Sequence, residues 1–152
     1  MSRMILTALA LFMLGGGTPA SAQRVPPPPM TIEMVQAEFR AQTGSDVVYF
    51  VGNGHGLNAN TQQILMAQAR WLLANPAVRA RIEGHADERT PRDYALAVGD
   101  RRANAVRNFL VLQGVPAGQL SVISWGKERP VVAGSSEGAL ALNRRVKTVL
   151  ML

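Results

Sequence analysis

The sequence predicts an α/β fold of the α+β sandwich type, in which a mixed sheet packs one of its faces against two main helices. Segments with the alternating apolar pattern of half-buried strands are interleaved with segments whose apolar residues recur at helical spacing, and glycine or proline separates them. The resulting order is β-α-β-α-β-β. A chain of 152 residues is long enough for one such domain with extensions.

The first half of the domain is predicted as a strand, a helix and a second strand. Residues 47–51 (VVYFV) are β-branched or aromatic and end at the glycine-rich GNGHG. The next helix is predicted to begin at Asn60, because Asn60 and Gln63 have the spacing of a capping box, and to end before Pro76. Residues 78–83 then alternate between apolar and charged side chains, which is typical of a half-buried strand.

The second half is predicted as a helix followed by two strands. The segment TPRD, at residues 90–93, has a capping threonine, a proline just inside the helix and an aspartate in the first turn. This helix is predicted to continue to about residue 113, where glycine and proline follow. Strands are predicted at 120–125 and 146–152, and the loop between them has one short helical segment at 137–143.

The first 22 residues have the pattern of a cleaved secretory signal peptide. Arg3 gives a positive start, residues 5–14 are apolar, and ASA at 20–22 supplies the small residues that a signal peptidase reads. This apolar run is short for a bilayer crossing, so cleavage is favoured over a retained membrane anchor. The mature protein is therefore expected to be exported and to begin at Gln23.

Residues 23–45 are predicted to form a proline-rich linker ahead of a domain at 46–152. The four prolines at 26–29 favour a stiff polyproline II segment. Residues 31–43 have helical composition, which fits either a short helix or an ordered linker.

Composition narrows the function classes. The chain has no cysteine, which excludes disulfides and thiol chemistry. The full chain has a net charge of +6, and removal of Arg3 with the signal leaves +5, which favours anionic partners such as cell-wall polymer or anionic lipid. Export makes nucleic acid the least favoured anionic partner. No cofactor and no metal are predicted.

Two adjacent arginines in GDRRANAVRNFL, residues 99–110, are predicted to point in different directions. With Val106 as the reference, a helical wheel places Arg102 at about −40°, inside the apolar stripe, and Arg101 at about −140°, on the polar side. A buried guanidinium without a partner is costly, so Arg102 is expected to meet a carboxylate or to reach solvent. The candidate carboxylates are those of Asp87, Glu88 and Asp93.

Asp87 is the most informative of these carboxylates, because it follows a predicted strand in the loop that leads to the helix of Arg102. Ligands of α/β folds bind at such strand ends. A carboxylate and a guanidinium that face one crevice would suit a zwitterionic ligand, since each pole meets the opposite charge. An internal ion pair without a ligand explains the same pattern, and the residues alone leave both interpretations open.

Five motifs, in order, resemble those of the C-terminal domain family of outer-membrane protein A. They are GHADER, the tyrosine at Tyr94, GDRRANAV, SWGKERP and NRR. The similarity runs from about residue 47 to the end of the chain, and within the family the chain most resembles the peptidoglycan-associated lipoprotein. The resemblance implies non-covalent peptidoglycan binding in the periplasm, without enzymatic activity, and a link between the outer envelope and the cell wall.

The resemblance also implies the residues that bind. Family members bind the diaminopimelate residue of the stem peptide with an aspartate at the position of Asp87, which meets the ligand ammonium. An arginine at the position of Arg102 meets the ligand carboxylate. Arg89, inside GHADER, and Asn53 are the other candidate ligand-binding residues.

Three features depart from the family pattern. No cysteine follows the signal, so no lipid anchor of its own is expected, and the protein is expected in the periplasm, associated with the outer membrane or the wall. Gly52 and Asn53 stand where the family has phenylalanine followed by aspartate, so Asn53 brings no negative charge. Ala95 replaces the asparagine that usually follows the motif tyrosine.

Metal binding and catalysis are two other interpretations of the GHADER segment. His85, Asp87 and Glu88, together with His55, would be the metal ligands, but two histidines without cysteine make a poor site and Arg102 would repel a cation. Asp87 and Glu88 would be the acid and base of a cell-wall hydrolase, but adjacent loop residues rarely face one another. Binding without catalysis is favoured over both.

A protein-interaction adaptor with weak or lost wall binding is the alternative function. The resemblance implies docking to periplasmic proteins of the Tol system, and this role can coexist with wall binding. The arginines that would serve such a surface are Arg79, Arg81, Arg129, Arg144 and Arg145. Arg144 is predicted to be simply solvated, and the pattern does not decide for Arg145.

Overall fold

The computed structural model describes residues 24–152, so the predicted signal peptide lies outside the described residues. The predicted α/β class and strand order are confirmed, with one helix added before the first strand. The elements are α1 (Ile32–Thr43), β1 (Val47–Tyr49), α2 (Ala59–Ala74), β2 (Arg79–His85), α3 (Arg92–Leu112), a 3₁₀ turn (Ala117–Gln119), β3 (Leu120–Gly126), α4 (Glu137–Asn143) and β4 (Arg145–Met151).

The four strands form one mixed sheet in the order β1-β4-β2-β3. The pair β2–β3 is parallel, while β4 runs antiparallel to both β1 and β2. A parallel pair needs a crossover connection, and α3 supplies it between β2 and β3. Among residues 24–152, no helix has the length and apolar character that a bilayer crossing requires.

The hydrophobic core lies between one face of the sheet and helices α1, α2 and α3. Val35 and Phe39 of α1 are buried in this core, and the Phe39 ring packs edge-on against Trp71 of α2 with centroids 5.1 Å apart. Residues 31–43 therefore form a packed helix rather than a linker, and the predicted domain boundary at residue 46 falls inside the packed unit.

The side chain of Gln36 holds α1 against the sheet. Because β1 has only three residues, β4 extends beyond it and its backbone groups need another partner. Gln36 Nε2 donates to the Thr148 carbonyl at 3.0 Å, and Gln36 Oε1 accepts from the Leu150 amide at 2.8 Å. The Gln36 side chain thus supplies the donor and the acceptor that a longer β1 would offer to the backbone of β4.

Two glycines set the position of α3 on the sheet. A Cβ on Gly84 of β2 would collide with the backbone carbonyl of Gly99 on α3, so the helix can lie this close only because Gly84 has no side chain. Arg102 follows Gly99 by three residues, almost one helical turn. The close contact therefore brings the Arg102 side chain to the end of β2, where the candidate site lies.

The predicted N-caps of the two main helices are wrong. Helix α2 begins at Ala59 rather than at Asn60, because Asn58 caps it by accepting from the Thr61 amide at 2.8 Å. Helix α3 begins at Arg92 after Pro91, and no side chain caps it.

The first strand is also shorter than predicted. It ends at Tyr49 rather than at residue 51, because the chain turns away from the sheet and Gly52 adopts a φ of 56°. Phe50 still donates one backbone hydrogen bond to the Arg144 carbonyl. The turn that follows forms one wall of the candidate site.

Candidate ligand-binding site

The candidate site is an open crevice of about 260 Å³ between the end of β1 and the start of α3. Both predicted loops contribute to it, the glycine-rich loop after β1 and the GHADERTPRD loop after β2. Its lining residues are Gly52, Asn53, Asp87, Arg89, Thr90, Pro91 and Tyr94. The volume suits a ligand of the size of one amino acid.

Asp87 is the carboxylate of this crevice, and only 3 % of its surface is exposed. The Arg89 backbone amide and Arg89 Nη2 donate to it at 3.1 and 3.3 Å, and Arg144 Nη1 donates at 3.3 Å. Burial alone would raise the pKa of Asp87, but the hydrogen bonds from Arg89 and Arg144 outweigh it and hold the pKa below its ordinary value. Asp87 is therefore ionised at neutral pH and can accept an ammonium group.

The prediction that Arg144 is solvated is wrong. Arg144 is buried, and its Nε donates to the Phe50 carbonyl at 3.2 Å while its Nη1 reaches Asp87. The pairing of β4 with β1 places the NRR segment against the chain that leaves β1. Successive residues of an extended chain point to opposite faces, so Arg144 points to the crevice side and Arg145 to the other face of the sheet.

Arg102 is fully buried, as its position in the apolar stripe of α3 predicts, whereas Arg101 is exposed. Its three nitrogens donate to three backbone carbonyls: Nε to Gly54 at 2.8 Å, Nη1 to His85 at 2.9 Å and Nη2 to Gly52 at 2.6 Å. The guanidinium also lies 5.3 Å from the centroid of the Phe50 ring. These contacts satisfy a buried cation without an anion.

The expectation that Arg102 meets a carboxylate or reaches solvent is therefore wrong for the described residues. Carbonyl oxygens carry partial negative charge, and three of them replace the expected carboxylate. Burial lowers the pKa of Arg102 to about 10, with the charge of Asp87 opposing the shift and that of Arg144 adding to it. Arg102 stays protonated at neutral pH and holds the loop at residues 52–54 from behind.

The four predicted ligand-binding residues thus lie at different depths. Asn53, Asp87 and Arg89 line the crevice, while Arg102 lies behind its wall. The Arg89 side chain is 53 % exposed and also approaches Glu137 at 3.5 Å. Asn53 is held by Thr90, whose hydroxyl donates to Asn53 Oδ1 at 3.4 Å.

Three further residues line the site, although the sequence does not indicate a binding role for them. The sequence pattern indicates Thr90 and Pro91 as helix-capping residues and Tyr94 as part of a motif, but all three line the crevice. Their place in the run directly after Asp87 is the signal that could have found them. Arg89 and Arg144 donate to the single buried carboxylate of Asp87, and Arg102 lies behind the crevice wall. This excess of guanidinium groups favours a ligand carrying its own carboxylate.

The structure does not assemble the residues of the metal or hydrolase interpretations. Within residues 24–152, no three histidine or acidic side chains converge as metal ligands would. His85 is buried while His55 is exposed. Glu88 accepts a hydrogen bond from Ser135, whereas Asp87 accepts from Arg89 and Arg144.

Comparison with known proteins agrees with this architecture. The model of the OmpA family matches residues 49–144. A peptidoglycan-associated lipoprotein of Agrobacterium fabrum is 44% identical over 115 residues, which cover 76% of this chain and 64% of the relative. A peptidoglycan-associated lipoprotein of Brucella melitensis is 40% identical over 136 residues, which cover 90% of this chain and 72% of the relative. The chain therefore spans slightly less than two thirds of the Agrobacterium protein.

Comparison with solved structures gives the same family of relatives. The crystal structure of the peptidoglycan-associated lipoprotein from Burkholderia pseudomallei matches with a TM-score of 0.69 and 37% identity, over 71% of this chain and 92% of that chain. The C-terminal domain of Helicobacter pylori MotB matches with a TM-score of 0.66 over 70% of this chain and 84% of that chain, but at 21% identity it supports the fold alone. By sequence motifs, fold and these matches, the chain belongs to the OmpA family.

Proposed function

We propose that this protein binds peptidoglycan non-covalently in the periplasm, through the diaminopimelate residue of the stem peptide, and helps link the outer envelope to the cell wall. The observation that carries the proposal is the ionised, buried Asp87 in a crevice that Arg89 lines, with Arg144 bound to Asp87 and Arg102 behind the wall. The names of the relatives, which denote a peptidoglycan-associated lipoprotein and no enzyme, support a binding role without turnover.

The chemistry of the ligand matches the charges of the crevice. The side-chain end of diaminopimelate carries an ammonium and a carboxylate on one carbon. We assign the ammonium to Asp87 and the carboxylate to Arg89 and Arg102. Arg89 already lies in the crevice, whereas Arg102 reaches the ligand by exchanging a carbonyl of the loop at residues 52–54 for the ligand carboxylate, which is the stronger acceptor.

Asn53 sets the strength of the site in this proposal. It lines the crevice and offers an amide where an aspartate would offer a second carboxylate for the ammonium. Hydrogen bonds to charged groups contribute more than those between neutral groups, so the asparagine weakens ammonium binding without abolishing it. Docking to Tol-system proteins, which the family resemblance implies, stays a prediction.

Co-sedimentation with purified peptidoglycan sacculi tests the proposal. The wild-type protein is expected in the pellet, and Asp87→Ala and Arg102→Ala are expected in the supernatant. Asp100→Ala is the matched control, because it removes an exposed carboxylate from α3, outside the crevice. Circular dichroism establishes that each variant is folded.

Two results would contradict the proposal. If the folded Asp87→Ala variant sediments like the wild type, the crevice is not the binding site. If the wild type steadily releases soluble fragments from sacculi, the protein is a hydrolase. An Arg102→Ala variant that fails to fold leaves Asp87→Ala as the deciding variant.

A further inference from the structure

The sheet has a second face, opposite helices α1, α2 and α3, which we call the outer face. Side chains alternate along a strand, so the core positions Ala80 and Ile82 define their neighbours on β2 as outward-facing. The ionisable and aromatic residues of the outer face are Tyr49, Arg79, Arg81, Glu83, His85, Trp125, Arg145 and Lys147. Arg129, from the loop after β3, joins them because its guanidinium carbon lies 3.3 Å from the centroid of the Trp125 ring.

This outer face carries most of the excess charge of the protein. Its five cations are opposed by a single carboxylate, Glu83, which gives a local charge of +4 where residues 24–152 together have +5. Glu83 pairs with Arg81 at 2.6 Å. Within residues 24–152, no carboxylate lies within ion-pairing distance of the other four cations, Arg79, Arg129, Arg145 and Lys147.

Buried polar groups without partners are concentrated at one end of the outer face. Arg145 is 7 % exposed, and its Nη2 donates to the Arg129 carbonyl at 3.0 Å, but its Nη1 has no partner among the described residues. The same is true of Trp125 Nε1 and of both ring nitrogens of His85, so four of the five such atoms in residues 24–152 lie here. Native proteins satisfy nearly all buried polar groups, so these groups are able to bind a polar partner that reaches this end of the outer face.

The electrostatic environment of His85 agrees with this interpretation. Burial, together with the charges of Arg145, Arg129 and Lys147, lowers the pKa of His85 to about 3. The imidazole is therefore neutral and offers one donor and one acceptor. The potential at this end of the outer face is positive enough to oppose any further cation and to attract an anion.

We infer that the outer face docks an acidic surface of a partner protein. Carboxylates of the partner would pair with Arg79, Arg129 and Lys147, and displacement of the Arg129 side chain from Trp125 would open the unpartnered groups beneath it. This interaction goes beyond wall binding, because wall binding uses the crevice on α3 and none of these side chains lines that crevice.

A protein surface fits the outer face better than an anionic membrane does. Four of the five cations are arginines, whose planar fork matches carboxylates, and arginine and aromatic residues are enriched in protein interfaces. Tyr49 is 48 % exposed there. Four strands of up to seven residues measure about 20 by 20 Å, a size that fits a small, transient interface.

A binding titration with a fluorescent peptide of alternating glutamate and aspartate tests this inference. The outer-face variant is Arg79→Glu with Arg129→Glu, since both side chains are exposed and neither forms an ion pair in the described chain. The matched control is Arg101→Glu with Arg107→Glu on α3, which changes the net charge equally. The outer-face variant is expected to bind the peptide roughly tenfold more weakly than the wild type at low salt, and the control within about twofold.

Three outcomes would overturn the inference. The first is that the wild type fails to bind the peptide, and the second is that both double variants lose affinity equally. The third is that the wild type binds phosphatidylglycerol vesicles but not the peptide. The last outcome would assign the outer face to a lipid surface. Sedimentation of the outer-face variant with sacculi is expected to equal that of the wild type, so failure here and failure of wall binding are distinguishable.

Discussion

Arg102 Nη2 donates to the carbonyl of Gly52 at 2.6 Å, so a buried cation on α3 holds the loop that forms one wall of the ligand crevice. The same guanidinium also binds the carbonyl of Gly54. Any ligand carboxylate that reaches Arg102 must therefore displace part of this loop. This relationship couples ligand binding to a local change of the backbone at residues 52–54.

Diaminopimelate should shift the backbone amide resonances of Gly52 and Gly54 in nuclear magnetic resonance spectra. The physical reason is that the ligand carboxylate takes over hydrogen bonds of Arg102 that the loop carbonyls now receive. Gly118, which lies in the 3₁₀ turn outside the crevice, is the internal control. Shifts confined to Asp87 and Arg89, with both loop glycines unchanged at saturation, would show that Arg102 does not contact the ligand.

Asn53→Asp should strengthen binding of diaminopimelate. A second carboxylate in the crevice adds a charged partner for the ligand ammonium, and the expected gain is roughly three- to tenfold in affinity. Isothermal titration calorimetry measures it. Asn60→Asp, which introduces the same charge at an exposed position of α2, should leave the affinity unchanged. An Asn53→Asp protein with unchanged or lower affinity would contradict the assignment of the ammonium to this end of the crevice.

His85 should make the protein less stable as the pH falls from about 6.5 to about 3. In this window the unfolded chain protonates His85 while the folded protein does not, so the unfolded state binds more protons and the free energy of unfolding decreases. The expected loss is roughly 2–4 kcal/mol. Urea unfolding at a series of pH values measures it.

His85→Gln and His55→Gln form a matched pair for this effect. His85→Gln should remove most of the pH dependence above about pH 4, below which Asp87 contributes its own loss of stability. His55 is exposed, so His55→Gln should retain the wild-type profile. Identical profiles for both variants would show that His85 is not held neutral by the fold.

Gly84→Ala should destabilise the protein by about 3 kcal/mol or more, because the new methyl group meets the carbonyl of Gly99 and α3 must move away from β2. Gly118→Ala is the control, since its Cβ would meet no atom within 4 Å. Thermal unfolding of the two variants gives the comparison. Equal stability would mean that the close contact of α3 with β2 does not position Arg102.

The interior position of Arg102 could be predicted because a helical wheel depends on local spacing alone. Its partners could not, because the carbonyls of Gly52 and Gly54 come from a loop about fifty residues earlier in the chain. Every residue has a backbone carbonyl, so no residue type signals this interaction. The expected carboxylate, Asp87, lies nearby but is occupied by Arg89 and Arg144.

The orientation of the Arg144 side chain also could not be predicted from local sequence. A pair of arginines before a strand indicates that their side chains diverge, but not which face each side chain reaches. The answer depends on the pairing of β4 with β1, which joins segments nearly a hundred residues apart. The sequence does not decide the position of α1 for the same reason, because the Gln36 contact with β4 joins the two ends of the described chain.

Binding to sacculi that differ in a single stem-peptide residue tests the central claim most directly. Lysine has the ammonium of diaminopimelate but lacks the carboxylate beside it. If Asp87 binds the ammonium while Arg89 and Arg102 bind the carboxylate, the protein should bind sacculi with diaminopimelate roughly tenfold or more tightly than sacculi with lysine. Equal binding to the two kinds of sacculi would contradict the claim.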